Sequence, residues 1–345
     1  TEGFRDILEI GSVKRLSQLY QDALDPVTTG FLCPRRLRKG VSERTEADGT
    51  ISIPLDEAGL ARAVDELTAE GVEAIAICFL FSYLNPTHER RAAALIRQRF
   101  PDLPLSVSCE VDGRVREYER LCVAGFDAYT KPLLDRYMSR MERQLGDAGI
   151  AGPLQLMQSR GGIAGSQNAR RTPVRLFLSG PAAGVVGANA VGREAGFDRL
   201  ISLDVGGTSS DIALIAGGQP LLRQDGYVDG YQIRVPMVDV NAVGAGGGSI
   251  AWLDSGGGLR VGPRSAGAEP GPACYGRGGR EPTVTDASVV LGWIEPSYFA
   301  GGALSLDASL AHRAIEEHVA APLGIGVEEA ALAIHRVVNA QMAEG

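Results

Sequence analysis

One run limits the fold of this chain more than any other: residues 200–218, LISLDVGGTSSDIALIAGG. An apolar stretch (Leu200, Ile201, Leu203, Val205) meets Gly206-Gly207, and Thr208, Ser209, Ser210 and Asp211 lead into a second apolar stretch at 212–215. This order predicts strand, tight turn, strand. Glycines carry no Cβ, so the backbone at Gly206 and Gly207 can approach an anion closely, and the hydroxyls of Thr208, Ser209 and Ser210 can donate to phosphate oxygens. Asp204 and Asp211 bracket the turn with acceptor oxygens suited to a hydrated divalent cation. These residue types point to handling of a nucleoside triphosphate, with Asp204 and Asp211 as the catalytic and metal-holding pair.

Three other readings compete. A P-loop needs a lysine and a helix after its glycines, and this run supplies neither. A dinucleotide fingerprint also opens a helix, whereas residues 212–215 followed by Gly217-Gly218 predict a strand ending in a hairpin turn. An isolated glycine pair would more often serve only to turn the chain. The full D-x-G-G-T-x-x-D string between two apolar strands favours the ligand-binding reading.

The 345 residues suit two domains, or one large α/β unit with a lobe attached. Lys plus Arg number 34 against 42 Asp plus Glu, and the net charge of -8 argues against nucleic acid as a partner. The cysteines, Cys33, Cys78, Cys109, Cys122 and Cys274, form no C-x-x-C pair, which predicts reduced thiols and a cytoplasmic setting. No histidines are grouped as metal ligands, and His312 and His318 fit a helix surface. The sequence has no signal peptide and no apolar run of membrane-spanning length. It begins Thr1-Glu2-Gly3 without Met, as a fragment of a longer polypeptide would.

Along the chain, residues 1–50 read as irregular and polar, with Pro26, Pro34 and a basic run at 35–39 that fits a solvated edge. Asp48-Gly49 is a hairpin signal. Leu60, Val64 and Leu67 predict a helix over 56–70 ending at Gly71, followed by a buried strand over 72–81. A helix from Asn85-Pro86 to about Phe100 and a strand at 103–107 complete a β-α-β layer. Residues 121–145 predict a long helix interrupted at Pro132, 172–179 an extended run, and 182–195 a helix of small residues. Glycine-dense loops at 243–249 and 262–279 read as ordered loops near a site. Helices follow near 287–293, 306–319 and 327–343.

TEGFRDILEIG (1–11), CFLFSYLNPTHE (78–89), LSGPAAGVVGA (178–188), DVGGTSSD (204–211), VGAGGGSIAW (243–252), PGPACYG (270–276) and TVTDA (283–287) together resemble the hydantoinase/oxoprolinase family. That family includes ATP-dependent 5-oxoprolinases, the A subunit of N-methylhydantoinases and the β subunits of acetone carboxylases. The resemblance implies an α/β fold of the actin-like ATPase (ribonuclease H-like) type, incomplete, with an additional α/β lobe. It implies that residues 1–120 are the C-terminal part of an N-terminal region. Residues 121–345 would then be an ATPase domain with the second phosphate hairpin, truncated before the adenosine segment. Carried over, Asp204, Gly206, Gly207, Thr208, Ser209 and Asp211 would contact the phosphates of ATP or hydrated Mg2+. Val205 and Ser210 stand where Met and Thr are common in the family. The family's earlier D-x-G-G-T-F-T-D hairpin and later F-G-G-A-G-P-type turn are missing, so this piece alone is expected to bind ATP poorly and to be inactive.

The activity implied is ATP-dependent opening of a cyclic amide such as 5-oxoproline or a hydantoin through a phosphorylated intermediate, with a hydantoinase B-type partner subunit or domain. The alternatives are the β subunit of an ATP-dependent ketone carboxylase and a non-catalytic assembly module. For the substrate, Gly246 and Gly247 lie in a loop beside the site, and Arg160, before a glycine turn, could pair with a carboxylate or be a surface residue. Cys274 could be a nucleophile, line the pocket or simply pack.

Overall fold

The apolar spacing of the first hundred residues produces a parallel β-α-β layer. The computed structural model describes residues 1–11, 32–228 and 231–345, in two compact units. One comprises Thr1–Ala183 with Leu222–Val238, the other Gly184–Leu221 with Asp239–Gly345. The readings placed on residues 12–31, Pro26 among them, lie outside the described residues.

In the first unit, β1 (Arg44–Thr45) and β2 (Ile51–Ile53) pair antiparallel around Asp48-Gly49. Helix α1 (Glu57–Ala69) begins where Asp56 accepts the Gly59 N–H at 2.9 Å, a cap that satisfies an otherwise orphaned donor. It buries Leu60, Val64 and Leu67 and gives way to Gly71 at φ +77°. Strand β3 (Ile75–Ile77), helix α2 (Thr87–Arg99) and strand β4 (Leu105–Val107) form the layer, with Ile75 beside Leu105 and Ile77 beside Val107 in parallel. The basic run at 35–39 is an ion-paired edge, Arg35 with Asp6 and Lys39 with Glu66.

The strand expected over 72–81 is cut to three residues. Past Ile77 the backbone leaves the sheet because the fully buried Glu89 gathers it. This carboxylate accepts from the Phe79 N–H at 2.7 Å, the Cys109 N–H at 2.9 Å, and the hydroxyls of Ser82 and Ser108 at 2.8 and 2.7 Å. Helix α3 (Glu117–Asp147) runs without a break through Pro132 and across residue 120, so the boundary expected at 120/121 falls inside a helix. The run at 172–179 is not extended either. Pro173–Leu176 form a 3-10 turn, and buried Asp127 accepts the Val174 N–H at 3.2 Å. Strands β5 (Gln155–Met157) and β6 (Ile163–Gly165) make a hairpin. Tyr231, Ile233, Val235 and Met237 join Cys122, Val123 and Phe126 in a second core cluster.

Helix α4 (Ser179–Glu194) leads into the second unit. There β7 (Leu200–Val205), β8 (Ser210–Ala216) and β9 (Val240–Val243) form an antiparallel sheet in the order β9-β8-β7. The glycine at position 192 of α4 lets the helix lie directly on Leu200. Hence one face of β7 meets α4, while Ile201, Leu203 and Val205 on the other are 71%, 56% and 51% exposed. Strands β10 (Ser249–Leu253) and β11 (Leu259–Ser265) pair next to helices α5 (Val284–Val290), α6 (Ala308–Ile315) and α7 (Val327–Glu344). Ala251, Val261, Ala287, Ile315, Ile334 and Val338 form their shared core. Among the described residues no helix is long and apolar enough to cross a membrane.

Replacing Glu89 by Leu strands four donors, three of them on buried residues, and urea denaturation is expected to show a loss of more than about 3 kcal/mol. Ser82→Ala, which removes one of the four, is expected to cost about 1 kcal/mol. Equal midpoints for Glu89→Leu and the parent chain would contradict this account of the short strand.

Candidate functional site

Strands β7 and β8 pair in register from Leu200 opposite Ile215 to Val205 opposite Ser210, which sets Asp204 directly across from Asp211. Residues 206–209 close the hairpin, with the Gly206 N–H donating to the Ser209 carbonyl at 2.9 Å. Because side chains alternate along a strand, Asp204 shares the face of β7 that meets α4. A Cβ built on Gly184 of that helix would stand 3.9 Å from the Asp204 Oδ2. Two like charges directly opposite each other oppose pairing. Accordingly, burial first and the Asp204 carboxylate second push the Asp211 carboxyl above the usual carboxylate range. Among the described residues no group of three or more His, Cys, Asp or Glu is arranged around a metal.

The turn is aimed by the segment 245–249. The N–H of Gly247 donates to the Gly206 carbonyl at 2.9 Å, and that of Gly248 to the Gly207 carbonyl at 2.6 Å. In a trans peptide, the N–H of the following residue points opposite to the carbonyl. With both carbonyls held inward, the amides of Gly207 and Thr208 face outward. Those two and the Ser209 N–H have no backbone acceptor among the described residues, and Gly206, Gly207 and Thr208 are exposed. Outward amides beside exposed hydroxyls form a concavity for an anion.

Several residues expected at the site have partners within the chain. The N–H groups of Gly246 and Gly247 donate to the Ser249 Oγ and the Gly206 carbonyl, each at 2.9 Å. A Cβ on Gly246 would lie 2.6 Å from the Gly206 oxygen and 2.9 Å from the Ser209 nitrogen, and one on Gly247 would lie 2.9 Å from the Thr285 Oγ1. Their glycine identity answers to close packing, under the turn for Gly246 and against Thr285 for Gly247. Ser210 is fully buried and its hydroxyl donates to the Ala245 carbonyl, so it is not available to a phosphate. Cys274 is buried among Val289, Leu306 and Ala311. Burial and the neighbouring Asp286 carboxylate push its thiol far up, which suits packing and not a nucleophile. Arg160 is exposed at the β5-β6 turn in the first unit. A mainly apolar cavity of ≈ 610 Å³ in that unit, lined in part by Leu8, Val64, Ile77 and Leu121, shares no residue with residues 204–211.

Gly248, Thr285 and Asp286 were not singled out as site residues. Thr283 and Asp286 form a capping box at the start of α5, and Asp286 also accepts from the N–H groups of Ala273 and Cys274 at 3.2 and 2.7 Å. The T-x-x-D spacing of 283–286 was the available signal.

Residues 120–345 match the model of the Hydantoinase/oxoprolinase family and residues 1–100 that of the Hydantoinase/oxoprolinase N-terminal region. The chain is similar to caprolactamase subunit alpha of Pseudomonas jessenii, 41% identical over 345 residues, covering 100% of this chain and 49% of that protein. It superimposes on the crystal structure of the ATP-dependent caprolactamase from that organism with a TM-score of 0.84, covering 100% of this chain and 50% of the other. The nucleotide-free acetone carboxylase structure gives a TM-score of 0.77 at 29% identity, covering 99% and 49%. 5-oxoprolinase 1 of Arabidopsis thaliana is 34% identical over 323 residues, 87% of this chain and 24% of that protein. The chain thus spans about half or less of the length of the relatives it matches.

Because Asp211 holds its proton more tightly folded than unfolded, its contribution favours the folded state below the ordinary aspartate range and is lost as pH rises through the raised value. Asp204→Asn is expected to lower the Asp211 pKa measured by carboxyl NMR and to stabilise the chain at neutral pH, with the gain vanishing below about pH 4. An Asp211 titration that does not move would contradict the pairing.

Proposed function

The chain belongs to the hydantoinase/oxoprolinase family, and we propose that its second unit carries a polyphosphate-binding hairpin of an ATP-dependent enzyme that opens cyclic amides. The observation that carries this reading is the pair of outward amides, Gly207 and Thr208, set next to two carboxylates in register. Like charges directly opposite each other destabilise a strand pair, and a cation bound between Asp204 and Asp211 would relieve that cost. We read the sheet β9-β8-β7 with its glycine turn as part of an actin-like ATPase lobe.

The residues present fit MgATP. The amides of Gly207 and Thr208 and the hydroxyls of Thr208 and Ser209 would donate to phosphoryl oxygens, while Asp204 and Asp211 would hold Mg2+ through its waters. MgATP held there would supply the phosphoryl group that turns an unreactive amide oxygen into a leaving group. The chain's own share of catalysis is electrostatic: fixed donors at the transferring phosphoryl, which need no reorganisation as charge moves. Caprolactam, 5-oxoproline and hydantoins share the cyclic amide that such activation serves. Relatives named as subunits support a partner subunit that completes the reaction.

A second reading, ATP-dependent carboxylation of a ketone, is favoured by the likeness to acetone carboxylase. ATP hydrolysis by the full polypeptide with its partner, stimulated by 5-oxoproline, a hydantoin or caprolactam and not by acetone, supports ring opening; the reverse supports carboxylation. In the active system, Asp204→Asn and Gly246→Ala are each expected to reduce substrate-stimulated ATP hydrolysis about 100-fold or more. The first removes a cation ligand and the second displaces the turn. Undiminished hydrolysis in Asp204→Asn would reject the phosphate-site assignment.

A further inference from the structure

The geometry points to Thr285 as a positioning residue that aims the Thr208 amide from the start of helix α5, without touching a ligand itself. This inference rests on the reading of residues 204–211 as a polyphosphate site. Thr285 donates twice to one oxygen: its N–H and its hydroxyl reach the Gly247 carbonyl at 2.7 and 2.8 Å. The backbone donor is one of those that a helix start leaves without an intrahelical acceptor. The Thr283–Asp286 capping box holds the start of α5 in place.

From Gly247 the effect passes through two planar peptides. Fixing the Gly247 carbonyl toward Thr285 turns the N–H of the same peptide, that of Gly248, the opposite way, where it meets the Gly207 carbonyl at 2.6 Å. Holding the Gly207 carbonyl in turn directs the Thr208 N–H outward. Donors and acceptors alternate along this line, so each bond polarises the next. Spacing confirms how tightly the line is built. A Cβ on Gly247 would stand 2.9 Å from the Thr285 Oγ1, and one on Gly248 would stand 2.8 Å from the Gly207 oxygen. A hydroxyl is needed at 285 because a methyl of the same size can fill the space but cannot donate.

The test uses the full polypeptide with four variants: Thr285→Val, Thr285→Ser, Asp204→Asn, and Ser288→Ala as a control. Ser288 sits on the same helix and bonds the Val284 carbonyl and His335, outside the line. We expect Thr285→Val to lower kcat/KM for MgATP by about tenfold, the scale of one hydrogen bond lost in a dry setting. KM for the cyclic amide should stay unchanged, and Thr285→Ser should restore kcat/KM to within about twofold. The Thr208 amide resonance should shift in Thr285→Val and return in Thr285→Ser. Ser288→Ala should lower Tm as much as Thr285→Val does while leaving kcat/KM alone. If Asp204→Asn is impaired and Thr285→Val is not, or if Ser288→Ala loses kcat/KM equally, the positioning role is wrong while the phosphate site stands. An unimpaired Asp204→Asn overturns both.

Discussion

Two backbone hydrogen bonds, from Gly247 and Gly248 to the carbonyls of Gly206 and Gly207, decide what the central hairpin can do. Without them the turn is an ordinary reversal between strands. With them, both carbonyls are spent inward and the amides are left facing out. The bonds form only because three successive glycines keep Cβ atoms out of the gap, and the constraint is space and not φ, since none of the three has a positive φ. The glycine-dense stretch at 243–249 is thus a tightly packed support.

That support is anchored at both ends by hydroxyls. Ser210 donates to the Ala245 carbonyl and Thr285 to that of Gly247. Ser249 adds a third tie, its Oγ accepting the Gly246 N–H at 2.9 Å. Beneath lies a core of alanines and branched aliphatics, Ala245, Ala251, Val261, Ala287, Ile334 and Val338, all buried. Rigid packing of this kind lets a strained feature persist, here the Asp204–Asp211 pair whose mutual repulsion the surrounding sheet has to bear. Glu89 plays a comparable organising part in the first unit, where one buried carboxylate with four donors replaces strand pairing as the means of satisfying the backbone.

Local signals read well from the residues. The helix at 57–69 follows from the capping Asp56 and the spacing of Leu60, Val64 and Leu67, and the hairpin at 200–216 from a glycine pair between apolar runs. What escaped were consequences of contacts distant in sequence. Gly246 is small because of a turn 40 residues earlier and Gly247 because of Thr285, 38 residues later, and an apolar run at 72–81 cannot reveal that Glu89 will draw its second half out of the sheet. The Cys274 thiol is pushed up by burial first and by Asp286, twelve residues on, second. Ser210 was within reach: if Asp204 and Asp211 share a face, alternation sends Ser210 to the other.

The central claim is that the amides of Gly207 and Thr208 bind phosphate. Its most direct test is amide-resolved NMR of the full polypeptide titrated with MgATP. The account predicts saturable downfield shifts of the Gly207 and Thr208 amide protons, abolished in Asp204→Asn. Saturable binding that shifts other amides and leaves these two unmoved would contradict it.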